Sequence, residues 1–219
     1  MKNLKIVFLA LVAMPINVLA FELFPMVQFS ADSGNRATTF FKVTNTSLVP
    51  LPIEVTAVKR HVVFNNEETL NETDDLLVFP PQVLIAPGKS QSIKVQYIGN
   101  VKQSAESYRV IVSQLPLKSD SDNDSVQMLF RIGALLFISP PNVQEQYVSE
   151  IILDKSSVPN LRITNTGSSV IELDKQSYNV TWGGEAMSWN WQQVEPLLPM
   201  QYLVPNQSAQ VNAQPLLTQ

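Results

Sequence analysis

The chain has 219 residues, with 15 Lys and Arg against 19 Asp and Glu, one histidine and no cysteine. The acidic balance excludes the basic footprint that non-specific nucleic-acid binding needs. The missing cysteines exclude disulfide staples, thiolate metal sites and cysteine nucleophiles, and His61 is the single base on which a Ser-His-Asp triad could draw. An apolar fraction of 45% is ample for packed cores.

Residues 1–20 have the layout of a secretory signal peptide: Lys2 and Lys5, an apolar run from Ile6 to Leu19, and Val18-Leu19-Ala20 at the cleavage site. That run is short of the ~20 residues needed to span a bilayer, so cleavage after Ala20 and export without membrane insertion are expected. Taking two lysines off a net charge of −4 gives −6 for the mature chain. Beyond the signal, Val, Ile, Thr and Phe alternate with polar residues over 39–44, 53–59, 92–97, 108–115 and 126–138, punctuated by Pro, Asn, Gly and Ser. Fifteen prolines leave little room for long helices. Short strands with turn signals between them predict an all-β sandwich architecture. His61, in a strand-like run, reads as a surface or satisfied structural histidine.

An internal repeat divides the chain. Phe41-Lys42-Val43-Thr44-Asn45-Thr46-Ser47 recurs as Leu161-Arg162-Ile163-Thr164-Asn165-Thr166-Gly167, and Val83-Leu84-Ile85-Ala86-Pro87-Gly88 is echoed by Tyr202-Leu203-Val204-Pro205-Asn206. Matching order and spacing predict two related sandwich units: residues 21–139, a Pro-Pro junction at 140–141, and a smaller unit at 142–219. The smaller unit is short for an independent seven-stranded sandwich and is expected to lean on its neighbour.

Asp120 to Ser125 is acidic and polar but lacks the glycine and terminal glutamate of an EF-hand loop, so it reads as a solvated connection. After it, Val126, Met128, Phe130, Ile132, Ala134, Leu136 and Ile138 fall on one face of a thirteen-residue strand. Such a stripe is either an inner strand covered on both faces or a donor strand that lends side chains to an incomplete partner sheet.

Several of these stretches resemble the PapD-like family of pilus-assembly chaperones. Phe79-Pro80-Pro81 with Pro87-Gly88, the strand from Ser92 to Tyr97, Glu106-Ser107 through Pro116, and the long strand ending at Pro140 occur in the family's order. The resemblance implies two immunoglobulin-like domains in a boomerang arrangement, residing in the periplasm. It also implies binding of pilin-like subunits that lack their last strand, donor-strand complementation, and transfer to an outer-membrane usher, with no cofactor. Val126, Met128, Phe130 and Ile132 are the donor residues by this matching, and the exposed strand leaves room for self-association of the free chain.

The family grips the subunit's terminal carboxylate with basic residues in the interdomain cleft. Here Leu135 falls where the best-known members place a lysine, and Gln28 or Phe29 where they place an early arginine. Tyr108-Arg109 resembles the archaic branch, which makes Arg109 the expected carboxylate anchor, Arg162 a second candidate and Arg131 a third. The alternative is a secreted immunoglobulin-like adhesin or carbohydrate-binding module using Trp182, Trp189 and Trp191. An enzyme is not expected: Glu67 with Glu68, and Asp74 with Asp75, are adjacent pairs that a strand would point to opposite faces. No catalytic residue and no metal site is assigned.

Overall fold

The computed structural model describes residues 21–117 and 128–218. The signal-peptide assignment, Val126 and the acidic connection at 120–125 lie outside the described residues.

Ten strands build the first half: β1 (Phe21–Phe24), β2 (Val27–Ala31), β3 (Thr38–Asn45), β4 (Leu51–Val62), β5 (Glu68–Glu72), β6 (Leu76–Phe79), β7 (Gln82–Ile85), β8 (Ser90–Tyr97), β9 (Glu106–Gln114) and β10 (Arg131–Ser139). They form one sheet in the order β1-β3-β8-β6 and a second in the order β2-β10-β9-β4-β5, with β7 also paired to β4. The period-two pattern turns Phe41 and Val43, Ile93 and Val95, Tyr108, Val110 and Val112, and Ala134, Leu136 and Ile138 into one buried core between the sheets.

The second half contains β11 (Tyr147–Leu153), β12 (Pro159–Asn165), β13 (Ile171–Glu172), β14 (Ser177–Trp182), β15 (Glu185–Asn190), β16 (Tyr202–Leu203) and β17 (Ser208–Asn212). Its sheets are small, β11-β12-β17, β13-β16 and β14-β15, around a separate core that includes Leu161, Ile163, Tyr178 and Trp189. Trp191 packs against the same core. The tryptophans weighed as a sugar platform therefore include two that serve packing.

The internal repeat is one hydrogen-bonding device built twice. Asn45 Nδ2 donates to the carbonyls of Val49 (2.8 Å) and Ile85 (3.0 Å), and Asn165 Nδ2 donates to those of Ser169 and Leu203, both at 2.8 Å. In each copy the Asn Oδ1 accepts from the amide two residues on, at Ser47 or Gly167. The Thr44–Ser90 hydroxyl pair recurs as Thr164–Ser208, each at 2.9 Å. Gly88 and Asn206 both take positive φ and donate to the Asn45 and Asn165 carbonyls. Where the first copy has Ser47 the second has Gly167, because a Cβ there would run into the Gln144 carbonyl and the Gln146 amide.

An apolar cluster and a set of hydrogen bonds join the halves. Val62, Ala105, Phe137, Val170 and Val204 form a third buried cluster, with Val27, Leu135 and Tyr202 against it. The β4–β5 loop lies along β17: Asn65 N–H donates to Ser208 O (2.8 Å) and Ser208 N–H to Val63 O (2.9 Å). Asn65 Oδ1 also accepts from Gln210 N–H at 2.8 Å. The first half thus supplies hydrogen-bond partners to an edge of the second half's sheet.

Candidate functional site

β10 is paired unequally along its length. Antiparallel β9 accompanies it from Arg131↔Ser113 to Ile138↔Glu106, whereas parallel β2 covers only Leu135↔Val27 to Ser139↔Ala31. Over residues 131–134 no strand lies on the second edge, among the described residues. Phe130 O accepts from Gln114 N–H at 2.9 Å and Leu135 N–H donates to Met26 O at 2.8 Å, so even-numbered residues bond to β9 and odd-numbered ones turn away. The amides and carbonyls of Arg131 and Gly133 consequently face the uncovered edge.

The side chains follow the same gradient. Ala134, Leu136 and Ile138 are sealed in the core, Ile132 and Phe130 are only partly buried against it, and Met128 is 71% exposed. The apolar stripe read from the sequence therefore leaves the core at its N-terminal end, where the backbone edge is also free. Its odd face is apolar at Leu135 and Phe137 because these pack between the halves, Phe137 lying 5.1 Å from the Phe29 ring and 5.3 Å from the Tyr202 ring.

The strand is shorter than the thirteen residues expected. Among the described residues it runs from Arg131, and the register shows why: the pair beyond Phe130–Gln114 would set Met128 opposite Pro116, which has no N–H to give.

Arg109 extends from β9 into a cleft of about 690 Å³ lined by Gly133 and Leu135 of β10 and by Met200 and Tyr202 of the second half. Its guanidinium is already engaged. Nε donates to Glu68 Oε1 and Nη2 to Glu68 Oε2, both at 2.8 Å, while Nη1 reaches Gly133 O at 3.4 Å. Arg60 Nε donates to the same Glu68 Oε2 at 2.6 Å. Partial burial favours the neutral Glu68 carboxyl, but the hydrogen bonds and charges of Arg109 and Arg60 outweigh it and hold the group below the usual carboxylate range.

Arg162 sits apart from this cluster. It projects from β12, its Nη2 donates to Gln210 Oε1 at 3.1 Å, and it does not line the cleft. Arg131 is exposed at the start of β10. Gln28 lies on β2 opposite Leu136, and Leu135 belongs to the apolar cluster between the halves, so neither position offers a cation.

A second polar network flanks the first core. The Tyr108 hydroxyl shares its one proton between two acceptors, Asp75 Oδ2 (2.7 Å) and Glu106 Oε2 (2.9 Å), and Glu106 pairs with Lys59 and Lys102, both at 2.8 Å. Burial opposes the Glu106 charge, but Lys102, Lys59 and Tyr108 outweigh it and hold its carboxyl at about 2. Burial and then the two carboxylates push the Tyr108 hydroxyl far up, keeping it a donor.

The roles of Glu68 and Arg60 were not evident from the sequence. Glu68 stood out only as a neighbour of Glu67, and what marks it is the register that places β5 beside β4 and β4 beside β9. That register is a property of the sheet, with no one-dimensional signal.

These features define a class: a chain built mostly of strands, with an apolar strand, β10, left without a second neighbour over 131–134 among the described residues, beside a charged cleft. Residues 27–144 match the profile of the family described as pili and flagellar-assembly chaperone, PapD N-terminal domain. That span is more than half of the chain, and the protein belongs to this family.

Solved structures of the same fold include the CsuC–CsuE chaperone–tip adhesion subunit pre-assembly complex from archaic Csu pili of Acinetobacter baumannii. It is 15% identical over 88% of this chain and 87% of that one, with a TM-score of 0.58. The class 5 fimbriae chaperone CfaA is similar at 19% identity, covering 86% and 84% of the two chains with a TM-score of 0.61. A Salmonella enterica SafA pilin–SafB chaperone complex is similar at 11% identity, covering 89% and 84% with a TM-score of 0.60. No curated protein sequence matches the chain.

Proposed function

We propose that this protein is a periplasmic chaperone that captures pilin-like subunits by donor-strand complementation and hands them to an outer-membrane usher, acting by binding and without catalysis. The observation that carries this reading is the edge of β10 at residues 131–134, which is unpaired among the described residues and lies where the apolar stripe emerges from the core. A subunit lacking one strand would gain backbone partners from Arg131 and Gly133 and side chains from Phe130 and Ile132. Each large side chain fully buried in this way contributes ~1.5–3 kcal/mol before the cost of association. Similar chaperones caught with a pilin or a tip subunit support the same use of the fold.

In this reading residues 21–139 and 142–219 are the two units, and Arg109, in the cleft beside β10, is the main grip on the subunit's terminal carboxylate. The test is co-expression with a pilin-like subunit and measurement of how much subunit survives proteolysis. Ile132→Asp is expected to abolish protection while the chaperone stays folded. Full protection by that variant would remove β10 from the mechanism.

A further inference from the structure

Every nitrogen of the Arg109 guanidinium already donates: two to Glu68, one to the Gly133 carbonyl. The Nε–Nη2 edge, one of the two guanidinium edges that suit a carboxylate, is therefore filled by a carboxylate of the same chain. We infer that Glu68 is a built-in competitor for the Arg109 site, holding the arginine pair in the free chain and giving way to an incoming carboxylate; this rests on the reading that Arg109 receives a subunit's terminus.

Three observations support it. First, a carboxylate-free fork would leave Arg60 and Arg109 as neighbouring like charges, Arg60 with only 6% of its side chain exposed, so some anion must occupy the site. Second, Glu68 is the replaceable partner: it is the first residue of edge strand β5, and 25% of its side chain is open to the cleft. Rotation of one side chain vacates the fork. Third, the strand behind it is pinned. Glu68 follows the loop whose Val63, Asn65 and Asn66 bond to the second half, so the carboxylate is held at the arginines without β5 having to move when it leaves. Arg60, Glu68 and Arg109 together carry one net positive charge, so the site still attracts an anion, but two-pronged binding at the Nε–Nη2 edge that Glu68 holds requires Glu68 to go.

The experiment titrates the mature chain with acetate, using acetamide as the neutral control, and follows the arginine Nε–H signals by NMR. Glu68→Ala is expected to lower the acetate midpoint roughly tenfold relative to the unmodified chain, the difference between a charge-assisted competitor and none. Adding Arg109→Ala to that variant should remove the Arg109 signal and weaken the response to that of Arg60 alone. Glu68→Gln, which keeps the shape and a neutral acceptor, should fall between the two and serves if the alanine variant does not fold. Equal acetate midpoints with and without the Glu68 carboxylate would overturn the inference. Acetate reads the arginines without any subunit, so this result is independent of whether β10 captures one.

Discussion

Asn45 and Asn165 are fully buried, and each bonds two carbonyls and at least one amide. Alanine at either position removes the side-chain donor to a buried carbonyl, Ile85 O in the first copy and Leu203 O in the second, and a loss of about 1–3 kcal/mol follows for each. The three tryptophans lie between 182 and 191, so Asn165→Ala should move the fluorescence-detected denaturation midpoint, and Asn45→Ala the far-ultraviolet one. Glu106 sets an acid limit. Its carboxyl lies at about 2 in the folded chain against an ordinary 4.5, so it contributes stability that is complete above about 4.5 and lost as pH falls through about 2. Glu106→Gln should lower stability at neutral pH and flatten its dependence across that window, as read by denaturation at a series of pH values. The repeated asparagines were legible in the sequence because a turn-forming Asn at the end of an alternating strand is a local signal. Glu68 was not, because its meaning depends on two other strands.

β10 has one alternating pattern and two environments. From residue 135 to 138 it has neighbours on both edges, and before that, among the described residues, on one. Aspartate at position 136 should therefore unfold the protein, since Leu136 has no exposed surface and no polar partner, whereas aspartate at 132 should leave it folded and abolish subunit protection. Circular dichroism of both variants beside the co-expression assay makes that distinction. The sequence proposed the stripe and its face but overextended the strand among the described residues, because the register brings Met128 opposite Pro116, beyond the end of β9, where no N–H is available.

At the scale of the whole molecule, the halves are joined by an apolar cluster and by main-chain bonds from the Val63–Asn65 segment to Ser208. Asn65 has a φ of 46°, a conformation that asparagine tolerates and glycine adopts freely. Asn65→Gly keeps the turn while deleting the Oδ1 acceptor for Gln210 N–H. Faster amide hydrogen exchange at Gln210, with the exchange of core amides such as Val110 unchanged, is the expected outcome. The same segment leads directly into Glu68, so the joint between the halves also positions the charged cleft.

By itself the sequence determined the β class, the duplicated asparagine turn and the face of the long strand that enters the core. All three are written in local alternation and turn chemistry, which a single chain segment carries. Only the tertiary structure decided where the β10 edge stops being covered and which carboxylate holds Arg109. Edges and ion pairs are made between strands distant in sequence, and pairing register is a property of the assembled sheets.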